Sequence, residues 1–382
     1  MPMSFMADYK KGQAKKVNIN TQLLPPNYFL HSGNYALNKL MSGNFARGLP
    51  QGRLTMFSGH SSSGKSLVAA SCVASVLNEG GFTFVVDSET SLDEAFMRNC
   101  GVDVDNKNYN YIGVDGIPEA TSEVNNILKM YRQSGEQTRG LIVVDSLNML
   151  LTSTEIDKLD KTGAISGDQG QQAKQIKATL KTWVHSVNSL PVTIICTQQP
   201  YVQQDKTLAY EEPWVITESW KFAFSQIIIF EKLVFKEKIG DKKVHRGFTL
   251  KSKSYKNRFA REKQVVKVEI PYDNGVDPFS GLIEIAVEYG VVSKNGGWFT
   301  PKTYEGKKFQ QKKAEADLDF MNMLLEEIKK VDTDDREVNA NLDDYVTEIT
   351  PELEEDIGES MRNKRQRNAK KKKEAEETDD KS

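Results

Sequence analysis

With 382 residues, 38% of them hydrophobic, and a formal net charge of −2, the chain has the makeup of a globular protein with one large core and appendages. No apolar run approaches the roughly 18 residues of a membrane-crossing helix, and the N-terminus lacks the basic-then-apolar layout of a secretory signal, so a reducing, intracellular compartment and no membrane are expected. Three scattered cysteines (Cys72, Cys100, Cys196) and four histidines without ligand spacing exclude a disulfide framework and disfavour a zinc site, which leaves the cysteines as small core residues.

Residues 1 to about 30 show few apolar positions at any period and read as an arm that docks elsewhere. From Arg53 onward, β-rich runs alternate with helical patterns: Leu54 to Ser58, Phe82 to Asp87, Tyr109 to Val114, Leu141 to Asp145, Val192 to Thr197 and Ser225 to Phe230. The alternation predicts a mostly parallel sheet covered by helices. In such sheets ligands bind beyond the carboxyl ends of the strands, so Ser58, Asp87, Asp145 and Thr197 are expected to converge on one crevice. Ala173, Ile176, Leu180, Trp183 and Val187 recur every three or four residues, a helical stripe that packs on the core.

After Phe230 the lysine-rich segments Val244 to Ser254 and Gln264 to Ile270 read as antiparallel strands at one sheet edge. Residues 317 to 330 form a last amphipathic helix. Beyond them, 332 to 359 is acid-rich, 362 to 373 carries eight basic residues and no acidic one, and 374 to 380 is acidic again. Such blocks are expected to be disordered. Residues 331 to 382 hold 17 acidic and 10 basic side chains, a balance of −7, which leaves a body of +5 over residues 1 to 330.

The sharpest signal is Gly59-His60-Ser61-Ser62-Ser63-Gly64-Lys65-Ser66, which follows one strand and precedes the helical run Leu67 to Leu77, the context a phosphate-binding loop requires. Its backbone N–H groups, from Gly59 through Leu67, would cradle the phosphates of ATP at a helix N-terminus. Lys65 would reach the β- and γ-phosphates and the Ser66 hydroxyl would hold Mg²⁺. Asp145, ending the apolar strand Leu-Ile-Val-Val, fits the second Mg²⁺-holding position. A carboxylate to activate water is offered twice, by Asp87 and by Glu89, and spacing alone does not choose between them.

These residues resemble the RecA family of recombination ATPases, and most of all its phage UvsX-type branch. Leu37 to Arg53 is similar to the family's lead-in to the phosphate loop, and the likeness extends from about 32 to 300. Val86-Asp87-Ser88-Glu89-Thr90-Ser91-Leu92-Asp93-Glu94-Ala95-Phe96 resembles the segment whose glutamate activates water. The resemblance thus implies that Glu89 is the catalytic carboxylate and that Asp93 and Phe96 contact adenine. Gln198 falls where the family places a γ-phosphate sensor. Lys256 and Arg258 fall where a basic pair reaches the ATP of a neighbouring subunit. The block Lys263 to Gly290 is the stretch most similar to the UvsX type.

The implied fold is α/β, a RecA-like ATPase core with helices flanking a twisted sheet. An arm over 1–31, a core over 32–300, a helical extension over 301–331 and a charged tail over 332–382 are expected. The implied activity is that of a DNA-dependent ATPase and recombinase, forming helical filaments on single-stranded DNA with ATP and Mg²⁺ between subunits and exchanging strands with homologous duplex. Its partners would include single-strand-binding and loader proteins, and its place would be the host cytoplasm. DNA-binding loops are expected at 152–170 and 200–220. The second of these departs from the family in lacking glycine, and carries Tyr201, Lys206, Tyr210, Trp214, Trp220 and Lys221, a pattern suited to stacking on bases. The acidic tail would compete with DNA for the basic body. The rival readings are a hexameric helicase on the same core and a mediator that binds ATP without hydrolysing it.

Overall fold

The computed structural model describes residues 29–163, 170–202, 214–239, 242–272, 275–303 and 308–345. Phe29–Leu30 (β1) pairs antiparallel with Leu49–Pro50 (β2) around the helix Tyr35–Ser42 (α1), which Asn34 caps by accepting the Leu37 N–H at 2.8 Å. Leu30 is fully buried, so the end of the expected arm belongs to the body. The rest of that arm lies outside the described residues.

Runs of Val, Ile and Leu without polar alternation can only lie between two covering layers. Here β3 (Leu54–Gly59), β4 (Phe82–Asp87), β5 (Tyr109–Gly113), β6 (Gly140–Asp145) and β7 (Val192–Gln198) run parallel, with the start of β10 (Gln226–Ile239) beside β3. β11 (Lys242–Asn257) and β12 (Val265–Pro271) continue antiparallel, and the eight-stranded order is β12-β11-β10-β3-β7-β6-β4-β5. Tyr201–Val202 (β8) and Trp214–Val215 (β9) form a separate antiparallel pair.

The helices between strands are α2 (Lys65–Asn78), α3 (Glu94–Asn99), α4 (Ile117–Ser134), α5 (Ser153–Thr162), α6 (Gln171–Val187) and α7 (Glu218–Lys221). One face of the sheet packs on α4 and α6 through Val124, Leu128, Ile176, Leu180 and Trp183, all buried with Ile142, Ile194 and Ile229. Each such side chain stabilises the fold by about 1.5–3 kcal/mol, which makes the strand ends a rigid base for a site. The three cysteines are buried in the core, as read from the sequence.

Three expectations change. α2 starts at Lys65 instead of Leu67, inside the phosphate motif, because Gly64 turns the chain directly into the helix. The segment 152–163, expected as loop, is mostly α5. Thr152 accepts the Glu155 N–H at 3.1 Å and the Glu155 carboxylate accepts the Thr152 N–H at 2.8 Å, a reciprocal cap that nucleates the helix. The first compact unit closes at Ile285, short of the expected 300, and the two strands that follow pair with each other.

The helix Leu282–Glu288 (α8) leads into the second unit, from Ala286 onward. It holds the hairpin β13 (Val292–Asn295) and β14 (Trp298–Pro301), then α9 (Gln311–Glu315) and α10 (Leu318–Tyr345). Phe309 stacks on Phe299 with centroids 5.5 Å apart and meets Phe320 edge-on at 4.8 Å, while Tyr289 donates to Asp332 at 3.1 Å. α10 runs past Asp332, where the tail was expected to begin; once a helix is nucleated, each further residue adds a hydrogen bond at little cost. Residues 346–382, the remainder of that tail, lie outside the described residues.

Candidate active site

Register brings the strand ends together. Ser58 on β3 pairs with Gln198 on β7, Val144 on β6 with Cys196 on β7, and Asp87 on β4 with Asp145 on β6, so one edge of the sheet carries Gly59, Asp87, Asp145, Thr197 and Gln198. This is the crevice expected from the strand ends.

At Gly59 a Cβ would stand 2.4 Å from Ser63 Oγ and 2.5 Å from the Phe230 carbonyl, so only glycine lets the loop fold back here. Gly64 has φ +99°, a left-handed conformation that other residues adopt only with strain. His60, Ser61 and Ser62 are exposed, Lys65, Ser66 and Leu67 half-buried, and Ser63 buried with its hydroxyl unpartnered among the described residues. Lys65 Nζ curls over the loop and donates to the carbonyls of Gly59 at 2.9 Å and His60 at 2.8 Å. Burial lowers its pKa, and the nearby Asp145 and Glu89 carboxylates oppose that shift.

Asp145 is 1% exposed. Its Oδ1 accepts the Thr197 hydroxyl, and among the described residues no group meets Oδ2 at hydrogen-bond geometry. Burial pushes its pKa up, the neighbouring Ser66 and Thr197 hydroxyls pull it down, and Glu89 and Asp87 push it further up. A buried carboxylate oxygen without a donor, a hydroxyl at hand and more carboxylates than ammoniums nearby fit a divalent cation. Among the described residues no three His, Cys, Asp or Glu side chains gather into a metal cage. A donor set of one buried carboxylate beside a hydroxyl suits Mg²⁺, which keeps phosphate and water oxygens in its shell.

Geometry separates the two carboxylates that spacing left open. Asp87 is buried and saturated: Oδ1 accepts the Glu89 N–H at 2.8 Å, and Oδ2 accepts the Leu92 N–H at 2.9 Å and the Tyr111 hydroxyl at 3.1 Å. Glu89 is exposed and accepts the hydroxyl of Ser146, the residue after Asp145. Asp87 thus holds the segment on which Glu89 stands. Asp93 caps α3 by accepting the Phe96 N–H at 2.7 Å, and the Phe96 ring is half-buried. Gln198 is buried, accepts the Ser58 hydroxyl at 3.0 Å and donates to the Gln199 carbonyl at 2.7 Å.

Lys256 and Arg258 do not join this group. The Arg258 N–H bonds the Ser225 carbonyl at 3.2 Å, and the Ser225 N–H bonds that of Leu54 at 2.9 Å, which sets Arg258 level with the first residue of β3. At about 3.3 Å per residue, that is roughly 17 Å along the strand from Gly59. Lys256 Nζ donates to the Lys221 carbonyl at 2.5 Å. Its pKa is lowered by burial first and by Arg258 next, and Arg53 is lowered for the same two reasons. Cations crowd the sheet edge away from the phosphate loop.

Of the residues expected to stack on or pair with DNA, Trp220 and Lys221 are described, and Trp220 is not on the surface. Trp220 is 1% exposed and donates its indole N–H to the Ala173 carbonyl at 3.1 Å; it belongs to the core because α7 packs on α6. Lys221 is held by Glu218 at 2.8 Å and the Tyr255 hydroxyl at 2.8 Å. The side chains of Tyr201, Lys206, Tyr210 and Trp214 lie outside the described residues. The sequence reading missed Tyr111 and Ser146, although Tyr109 and Tyr111, two apart on β5, share a face of that edge strand.

Among the described residues no helix is long and apolar enough to cross a membrane. The RecA protein of Clostridioides difficile (strain 630) is 28% identical over 292 residues, spanning 74% of this chain and 78% of the relative. That of Nocardioides sp. is 27% identical over 347 residues, 89% and 92% of the two chains. A crystal structure of the RadB recombinase aligns with 65% of this chain and 99% of its own at TM-score 0.46 and 16% identity. The family model described as the RecA N-terminal domain matches residues 10–277. Because that match takes in the phosphate loop, every strand that carries the crevice and the cationic edge at Lys256 and Arg258, the chain belongs to the RecA family.

Proposed function

We propose that the protein is an ATP-dependent recombinase that polymerises on single-stranded DNA, pairs it with homologous duplex and exchanges strands. The observation that carries this reading is the separation of Lys256 and Arg258 from the phosphate loop of their own chain. Arg258 lowers the pKa of its partly buried neighbours Lys256 and Arg53, a crowding of cations suited to receive an anion, and the γ-phosphate of a neighbouring subunit supplies one. A site completed by the next subunit in a head-to-tail repeat generates a filament and couples hydrolysis to assembly.

Within one subunit, the loop Gly59 to Leu67 binds the phosphates and Lys65 leaves its carbonyl partners for the β- and γ-phosphates. Ser66 and Asp145 would hold Mg²⁺, whose chemistry is to neutralise charge on the phosphate oxygens. Glu89, kept near Asp145 by Ser146 and by the Asp87 turn, orients and deprotonates the attacking water. Gln198 trades its bond to Gln199 for the γ-phosphate and reports its loss after hydrolysis. Asp93 and Phe96 form the adenine side of the site. The likeness of Lys263 to Gly290 to the UvsX type supports a phage recombinase, with single-strand-binding and loader proteins as partners in the host cytoplasm.

The test is ATP turnover with and without single-stranded DNA, together with electron microscopy in the presence of a non-hydrolysable ATP analogue. Stimulation by DNA and helical filaments are expected. Rings on DNA would favour the helicase instead, and turnover indifferent to DNA would overturn the reading.

A further inference from the structure

We propose that Asn148 is a positioning residue that ties the γ-phosphate sensor to the segments leading away from the site, by clasping the backbone of Gln199. The proposal rests on the ATPase reading above and adds the route by which the state of the site is passed on.

Two segments leave the sheet edge side by side, one after Asp145 on β6 and one after Gln198 on β7. Asn148 stands on the first, Gln199 on the second. The Gln199 N–H donates to Asn148 Oδ1 at 2.9 Å, and Asn148 Nδ2 donates back to the Gln199 carbonyl at 3.3 Å. This reciprocity fixes the amide, since turning it over would set donor against donor and acceptor against acceptor.

The same Gln199 carbonyl accepts from Gln198 Nε2 at 2.7 Å, and Gln198 Oε1 accepts the Ser58 hydroxyl from the phosphate-loop strand at 3.0 Å. One oxygen is therefore shared by the sensor and by Asn148. When Gln198 turns its amide to an anion in the site, that oxygen loses one of its two donors and Asn148 becomes its remaining hold. The far side of Asn148 is anchored as well. Gln172, in the first turn of α6, donates to the Asn148 carbonyl at 2.9 Å and to that of Leu150 at 3.0 Å. Two residues upstream, Ser146 bonds Glu89. The stretch 145–150 thus joins the Mg²⁺ carboxylate, the water-activating glutamate, the sensor and the start of α6 through discrete hydrogen bonds, each either made or broken. Asn148 is half-buried and is not among the apolar residues of the core, so its removal is expected to spare the fold.

Three variants of the full chain test this: Asn148→Ala, Asn148→Asp and Gln199→Ala. Hydrogen exchange at the Gln199 amide, with and without a non-hydrolysable ATP analogue, is the first readout. In the wild type the analogue changes that exchange; in Asn148→Ala exchange is about tenfold faster and indifferent to the analogue. DNA stimulation of turnover is the second, and it falls about fivefold in Asn148→Ala while analogue affinity is kept. Asn148→Asp retains the acceptor and loses the donor, so it keeps Gln199 protected and loses only part of the stimulation. Gln199→Ala leaves both backbone atoms in place and behaves as wild type. Wild-type exchange and stimulation in Asn148→Ala, or an equal loss in Gln199→Ala, overturn the proposal. If Asn148→Ala does not fold, Asn148→Asp decides by the same two readouts. If wild-type turnover ignores DNA, the recombinase reading falls and the exchange measurement alone decides the clasp.

Discussion

Thr197 donates its hydroxyl to one carboxylate oxygen of Asp145, and among the described residues the other oxygen has no donor at hydrogen-bond geometry. The two strands β6 and β7 thereby orient the carboxylate without satisfying it, and a buried charge in that state is costly until a cation arrives. Asp145→Asn is expected to cut Mg²⁺-dependent turnover by about 100-fold or more. The neutral amide removes the buried charge, so the melting temperature in Mg²⁺-free buffer should equal or exceed that of the wild type. Turnover across a Mg²⁺ titration, alongside thermal melts, checks both halves; a lower melting temperature with turnover intact would refute the assignment.

Asp87 and Glu89 should fail differently. Glu89→Gln keeps the contact with Ser146 within reach but removes the carboxylate proposed to act as base, so turnover is expected to drop by about 10²–10⁴-fold while nucleotide binding persists. Asp87→Ala strips acceptors from the N–H groups of Glu89 and Leu92, at a stability cost of roughly 1–3 kcal/mol for each buried donor left bare. Tyr111→Phe removes only the third of these bonds, and a severalfold fall in kcat with KM unchanged is expected. Denaturant melts separate the Asp87 variant from the Glu89 variant. Equal melts and equal turnover losses in both would contradict the distinction.

A site shared between subunits predicts complementation. Lys256→Ala and Glu89→Gln should each be nearly inactive alone, the first for want of the cation it lends, the second for want of its own base. Mixed in equal amounts, about a quarter of head-to-tail interfaces would pair an intact Glu89 with an intact Lys256. Turnover in the mixture should therefore exceed the mean of the two variants measured separately. Strict additivity across mixing ratios would place Lys256 in its own subunit's site, against the register that sets Arg258 level with Leu54.

The phosphate loop and the strand ends were legible because their signals are local: a glycine pattern between a strand and a helix, and apolar runs closed by a polar residue. The Asp87 and Glu89 pair was not, since what distinguishes them is a hydroxyl from β5 and an N–H from Leu92, partners that only the fold brings near. The cap at Thr152 and Glu155 was readable as Thr-x-x-Glu, yet the family resemblance placed a loop there. The Asn148 clasp on Gln199 joins residues 51 apart through backbone atoms, which no side-chain pattern announces. α10 outran its expected end because acid-rich composition argues against a packed core and says little about whether a helix already begun will continue.

Trp220 gives the plainest contrast between composition and place. Its neighbours Tyr210, Trp214 and Lys221 make it look like part of a base-stacking surface, but its ring is buried with Ile176, Leu180 and Trp183, and its N–H is spent on Ala173. Trp220→Ala should therefore cost about 3–5 kcal/mol of stability through the cavity it leaves. Trp220→Phe fills most of that volume and loses one hydrogen bond, so about 1–2 kcal/mol is expected. Neither change touches an exposed surface, and DNA affinity of the folded fraction should stay within about twofold of wild type, since stacking losses per base run to about 1–3 kcal/mol and would be plainly larger. Urea melts and single-stranded DNA binding at low temperature measure the two quantities separately. A stable Trp220→Ala variant with weakened DNA binding would return Trp220 to the DNA surface and would require α7 to open when DNA binds.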